Sequence, residues 1–183
     1  MAVKLNSSGG GSVTIDVPST ASNYSLTIPA ATGTVQVNSN MPAFSAYLSS
    51  NQTVSSGVMT KVQCNSEEFD TSSCYDNATN YRFTPNIAGY YQVSAVLGPY
   101  GSSVPTRSIM VLYKNGSYYK RLADFAISSS YANGLGGAAL VYLNGSTDYI
   151  ELYGQVNVAT GTAQFEGSGV YATAFMATLV RAA

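Results

Sequence analysis

The densest group of side chains capable of chemistry is acidic. Glu67, Glu68, Asp70 and Asp76 fall within ten residues of one another, with Asn65 and Asn77 beside them. Oxygen-rich loops of this kind can ligate a hard cation, so calcium is the ion to expect if any is held there. The spacing does not follow the EF-hand pattern, and the competing reading is a solvated acidic turn. A catalytic carboxylate pair fits less well, because nothing indicates a cleft or a partner base at a retaining or inverting separation. Cys64 and Cys74 enclose nine residues. A bridge would close a short loop in an oxidising setting, a reducing cytosol would keep both as thiols, and the sequence leaves both open. Two cysteines alone do not make a metal site.

What is missing decides more. The chain has no histidine, which removes the commonest general base, the usual hydrolase triad and every His-containing zinc site. Gly134-Leu135-Gly136-Gly137-Ala138 imitates a phosphate-binding loop but lacks the lysine and the strand-to-helix context. Charged residues make up 9% of the 183 positions, far below the ~25% of an average soluble protein. The formal charge of -1 leaves no electrostatic footprint for nucleic acid or anionic lipid. Fifteen tyrosines and no tryptophan favour pleated, half-buried surfaces. The expectation is a non-enzymatic protein with no resident cofactor beyond the calcium just considered.

No stretch reads as a targeting or membrane segment. The longest apolar runs are about five to seven residues, against the ~20 that span a bilayer, and Met1 to Gly11 has no signal-peptide core. Six Asn-x-Ser/Thr sequons, at Asn6, Asn23, Asn51, Asn77, Asn115 and Asn144, then read as by-products of an Asn/Ser/Thr-rich composition. Synthesis in a cytosol without membrane insertion is expected.

The elements that must position these residues are short strands. Residues 1–41 carry only Lys4 and Asp16 as charges, and Ser12–Val17, Tyr24–Ile28 and Thr34–Val37 alternate apolar with polar. Three such strands cannot bury a core alone, so this β-rich segment should attach to copies of itself or to another protein. Residues 42–183 predict strands at Ala43–Leu48, Met59–Cys64, Tyr81–Thr84, Tyr90–Leu97 and Ile109–Lys114. Further strands are expected at Ser117–Leu122, Ala138–Leu143, Asp148–Gln155 and Ala172–Arg181. Asn115-Gly116 predicts a type I′ hairpin turn, since both residues tolerate positive φ. No window shows helical amphipathicity. The fold class is all-β, an antiparallel jelly-roll β-sandwich.

Two strands are apolar or aromatic on both faces. Ile150 and Leu152 lie opposite Tyr149, Glu151 and Tyr153; Phe175, Ala177 and Leu179 lie opposite Met176 and Val180. A half-wet strand should be polar on one side, so a subunit interface through Tyr149, Tyr153, Met176 and Val180 is expected. The loops Gly98–Arg107, Ala126–Asn133 and Val156–Gly169, with Tyr100 and Tyr131, have the Tyr/Ser/Gly/Asn composition of adaptable recognition surfaces.

Phe69-Asp70, Tyr81-Arg82-Phe83-Thr84-Pro85, Ala88-Gly89-Tyr90-Tyr91, Leu112-Tyr113-Lys114-Asn115-Gly116 and Phe175 to Val180 resemble, in order, the signature of the complement component 1q globular head. That head is a tumour-necrosis-factor-like jelly roll, and the resemblance covers residues 42–183. It implies a homotrimer with both termini at one end and loops at the other; some members bind calcium. Ile28-Pro29-Ala30-Ala31-Thr32-Gly33-Thr34-Val35 resembles a segment that recurs in bacteriophage tail-fibre and related virion proteins. Together these imply a virion protein assembled in the host cytoplasm. Residues 1–41 would bind other virion proteins, and the head would bind a bacterial surface receptor, a glycan among the candidates. A short tail fibre is the first reading and a capsid decoration protein the alternative.

Overall fold

In a computed structural model the chain divides into two compact units, residues 1–35 and 36–183. The structure describes residues 3–16, 19–28, 30, 32–127, 134–169 and 172–183.

The first unit holds one antiparallel hairpin, β1 (Val3–Asn6) and β2 (Ser12–Ile15). The register pairs Val3 with Ile15 and Leu5 with Val13, which puts four apolar side chains on one face, each more than half exposed. The expected strand at Ser12 forms, whereas the described residues of Tyr24–Ile28 and Thr34–Val37 do not. Alternation creates a face but supplies no neighbouring edge, and a strand without one does not form. β1 was hidden by the Ser/Gly run that follows it.

The second unit opens with a 3-10 turn at Asn38–Asn40. Its strands begin with β3 (Ala43–Tyr47), β4 (Gln52–Val54), β5 (Thr60–Lys61), β6 (Ser66–Asp70), β7 (Tyr75–Asp76), β8 (Arg82–Phe83) and β9 (Ala88–Leu97). They continue with β10 (Pro99–Gly101), β11 (Pro105–Lys114), β12 (Ser117–Ala126), β13 (Leu135–Asn144), β14 (Ile150–Val158), β15 (Ala163–Phe165) and β16 (Ala174–Ala182). One sheet runs β12-β11-β14-β8-β7, with β5 also on β14; a five-stranded sheet runs β13-β9-β16-β3-β6. A small sheet, β10-β15-β4, closes one end. Every pairing is antiparallel.

The two large sheets face each other across a single apolar core. Phe44 stacks on Tyr75 at 4.6 Å and on Phe83 at 4.7 Å, and meets Phe175 edge-on at 5.2 Å. Each buried aromatic of this kind contributes roughly 1.5–3 kcal/mol. Asn115 and Gly116 take φ of 53° and 75°, and Lys114 pairs with Ser117, so the hairpin turn forms as its dipeptide requires. Gly134 to Ala138 leads into and lies along β13, a strand with no phosphate-loop geometry.

Candidate functional site

Among the described residues, most basic side chains lie on one sheet, while the edge strand β6 of the other carries Glu67, Glu68 and Asp70. Lys61, Arg82, Arg107, Lys114, Lys120 and Arg121 all lie on strands of the six-stranded sheet. Across the four strands β13, β9, β16 and β3, Arg181 is the sole charged residue. The outward rows of that sheet follow from its register. Ala138, Ser94, Met176, Ser45 and Phe69 form one; Leu140, Gln92, Thr178 and Ala43 form the next. Tyr142 and Tyr90 extend the surface, their rings 5.5 Å apart. Leu140, Tyr142, Tyr90, Phe69 and Val180 are all exposed. A recess of about 480 Å³ on this face is walled by Ser45, Glu68, Phe69, Ser94 and Met176.

The outer side of β14 is different, because the chain covers it with its own side chains. Glu151 is 4% exposed and pairs with Lys61 at 2.5 Å. Tyr153 stacks on Tyr113 at 3.8 Å, and the Arg82 guanidinium sits 4.3 Å above the Tyr149 ring. Val111, opposite Tyr153 in register and so on its face, has no exposed surface. The four residues expected to form one interface therefore lie on two sheets. Met176 and Val180 belong to the outer face of the five-stranded sheet, while Tyr149 and Tyr153 sit in a surface closed by ion pairs and stacked rings. Alternation tells which residues share a face of their own strand, but not which sheet receives it.

The acidic residues are not gathered. Glu67, Glu68 and Asp70 lie on the edge strand β6 and Asp76 on β7. Among the described residues no three His, Cys, Asp or Glu side chains are placed to share an ion. Three of the four have partners within the chain. Ser45 donates to Glu68 Oε2 at 2.6 Å, and Asp70 accepts from the Ser72 and Tyr75 amides at 3.2 and 2.7 Å. Asp76 accepts from the amides of Ala78, Thr79 and Asn80 and from the Asn80 side chain. The Thr79 amide, followed by the Asn80 side chain, holds its carboxyl down at about 2. Burial, then the nearby Asp70 charge, raises Glu67. These carboxylates cap turns and tie an edge strand. Cys64 and Cys74 are both free and buried, and burial pushes the Cys64 thiol up to about 12, which makes it a poor nucleophile.

Ala43 pairs with Thr178 and Tyr47 with Ala174, and the Ala183 amide donates to the Ala88 carbonyl. The start of β3 and the end of β16 therefore share one end of the sandwich, and the β10-β15-β4 sheet stands at the other. Tyr100 lies there on β10, 44% exposed, beside a recess of about 330 Å³ formed by Pro99–Pro105. Tyr131 lies outside the described residues. Two features escaped the sequence reading: the Lys61–Glu151 pair, and a second recess at this end walled by amide side chains. The only signal for the second was the density of Asn51, Gln52, Gln63 and Asn65. No helix among the described residues is long and apolar enough to cross a membrane.

No protein-family model matches the chain, and no curated protein matches it. Solved structures do. Murine APRIL at pH 8.0 superposes with a TM-score of 0.56 at 12% identity, covering 76% of this chain and 99% of that one. Eiger TNF from S. frugiperda gives 0.54 at 12% identity, covering 78% and 93%. The PRD1 vertex protein P5 gives 0.49 at 10% identity, covering 78% and 98%. At such identities the likeness is one of fold, and the second unit is an antiparallel jelly roll of the tumour-necrosis-factor type.

Proposed function

We propose that this chain is a homotrimeric, non-enzymatic structural protein of a bacteriophage particle, a short tail fibre whose head meets a bacterial surface receptor. The observation that carries the reading is the charge-poor outer face of the β13-β9-β16-β3-β6 sheet, whose four strands β13, β9, β16 and β3 carry Arg181 as their sole charged residue. A contiguous surface with Leu140, Tyr142, Tyr90, Phe69, Met176 and Val180 on it, and with few charged side chains, fits burial in an assembly better than permanent exposure. Copies of the same chain are the occupants proposed. The apolar face of the β1–β2 hairpin, with Val3, Leu5, Val13 and Ile15 open, supports docking of the first unit onto other virion proteins. The resemblance of Ile28–Val35 to tail-fibre segments supports the particle assignment. Three weak head sites on one rigid trimer would gain affinity by avidity.

The reading is tested with particles lacking this protein and with the purified chain. A tail fibre requires that such particles fail to adsorb and that the purified chain blocks infection. Particles that adsorb normally but burst at lower temperature would assign the chain to capsid decoration instead. Release of sugar from host envelopes by the purified chain would overturn the non-enzymatic reading.

A further inference from the structure

We infer that the recess between the β3–β4 turn and the β5–β6 connection is a binding site for an uncharged, hydroxyl-rich sugar unit of a glycan. The inference rests on the receptor reading and narrows it to one place. The recess measures about 290 Å³, close to the lower end of the ~300–1,000 Å³ range of ligand sites, and suits one or two sugar rings. It sits at the end of the sandwich away from the start of β3, because Leu48 donates to the Thr173 carbonyl just before β16 begins.

Its chemistry is that of amides and hydroxyls. Asn51, Gln52, Gln63 and Asn65 line it with Ser50 and Thr53, no charged side chain contributes, and Tyr81 is its one aromatic residue. A sugar hydroxyl both donates and accepts, and so does a carboxamide. An ionic ligand would leave such a wall without a counter-charge.

The wall is held in place before any ligand arrives. Asn51 Oδ1 accepts from the Gly167 amide at 2.9 Å, and Asn65 Oδ1 from the Ser49 amide at 3.0 Å. Gln52 is tied at both ends: Oε1 accepts from the Gln63 amide at 2.9 Å and Nε2 donates to the Lys61 carbonyl at 2.8 Å. Asn65 Nδ2, the Gln63 side chain and the Tyr81 hydroxyl make no hydrogen bond to any described residue. Fixed acceptors beside unspent donors are what orient a polyol.

Tyr81 adds an independent sign. Its φ is +50°, a left-handed conformation that an aromatic residue rarely adopts. Strain of this kind concentrates at binding sites, and a tyrosine ring is a surface on which a sugar can pack.

The test uses ligand-observed saturation-transfer NMR on the full chain with glucose, galactose, mannose and N-acetylglucosamine, and with galacturonate as the charged comparison. At least one neutral sugar should receive saturation and galacturonate should not. Tyr81→Gly suits the φ of +50° and so should keep the fold, and the Gln63 side chain has no partner to lose. Both Tyr81→Gly and Gln63→Ala should weaken binding by at least about tenfold, while Tyr119→Ala, an exposed position on β12, leaves it unchanged. Absence of transfer to every neutral sugar, or equal binding by wild type and Tyr81→Gly, overturns the site. Adsorption to host cells separates the two ideas. If wild type and Tyr81→Gly adsorb equally, the receptor reading stands and this site falls. If sugar binding is lost in Tyr81→Gly but the wild-type chain does not adsorb, the site stands and the receptor reading falls.

Discussion

Replacing Lys61 with methionine should destabilise the head without dissociating it. Glu151 has a 5% exposed side chain, and its ion-pair partner is the Lys61 ammonium at 2.5 Å. Removing one member of a buried pair leaves an uncompensated charge, at a cost of roughly 3–5 kcal/mol. The Lys61 side chain is 30% exposed, so water offsets part of that penalty and the expected loss is nearer about 2–3 kcal/mol. For a chain of this size that lowers Tm by about 4–12 °C, measured at fixed protomer concentration because association also shifts Tm. The double variant Lys61→Met/Glu151→Met should recover to within about 1 kcal/mol of wild type, since well-packed apolar replacements of a buried pair are often neutral. Thermal melts by circular dichroism, paired with sedimentation velocity, read both quantities. An unchanged Tm together with a lower sedimenting mass would refute the reasoning, because it would place this pair between subunits.

Met176→Asp, in the central row of the outer face of the five-stranded sheet, should dissociate the oligomer by burying a carboxylate with no counter-charge beside it, whereas Tyr149→Asp should lose the Arg82 contact and leave the sedimenting mass unchanged. Gly116→Val should cost about 2 kcal/mol in urea denaturation, because its φ is +75° and a Cβ there would lie 3.3 Å from the Tyr149 hydroxyl. Asp76 has a folded pKa of about 2, below its ordinary 3.8, so its contribution to stability is complete above 3.8 and is lost as pH falls towards 2. The Tm difference between wild type and Asp76→Ala should therefore close across that window, and a constant difference would reject the turn-capping role. Deleting residues 1–35 should leave a head with wild-type melting and oligomeric state that no longer joins the particle.

Much of the head was legible because its strands alternate strictly. Ile150 and Leu152 against Tyr153, or Phe175, Ala177 and Leu179 against Met176, were sorted correctly into core and outward sides by period alone. The short elements β4, β6, β7, β10 and β15 were not legible. They owe their form to a neighbouring edge, as when β15 pairs with both β10 and β4, and all but β6 span only two or three residues, too few to carry a period. The interface candidates split for a related reason. Nothing in Asp148–Gln155 reveals that Lys61, some ninety positions earlier in the chain, returns to cover Glu151. The four acidic residues stand close in sequence but lie on two strands, where Asp70 and Asp76 cap local turns and Glu68 ties β6 to β3, and no linear spacing shows that division of work. The amide-lined recess joins Asn51, Asn65 and Tyr81 from separate connections, and no linear spacing marks it.

Self-association through the outer face of the β13-β9-β16-β3-β6 sheet is tested most directly by sedimentation equilibrium of the full chain at micromolar concentration. A mass near three times the 19.1 kDa of one chain is the expected result. A stable species at 19.1 kDa, unchanged on concentration, would contradict it.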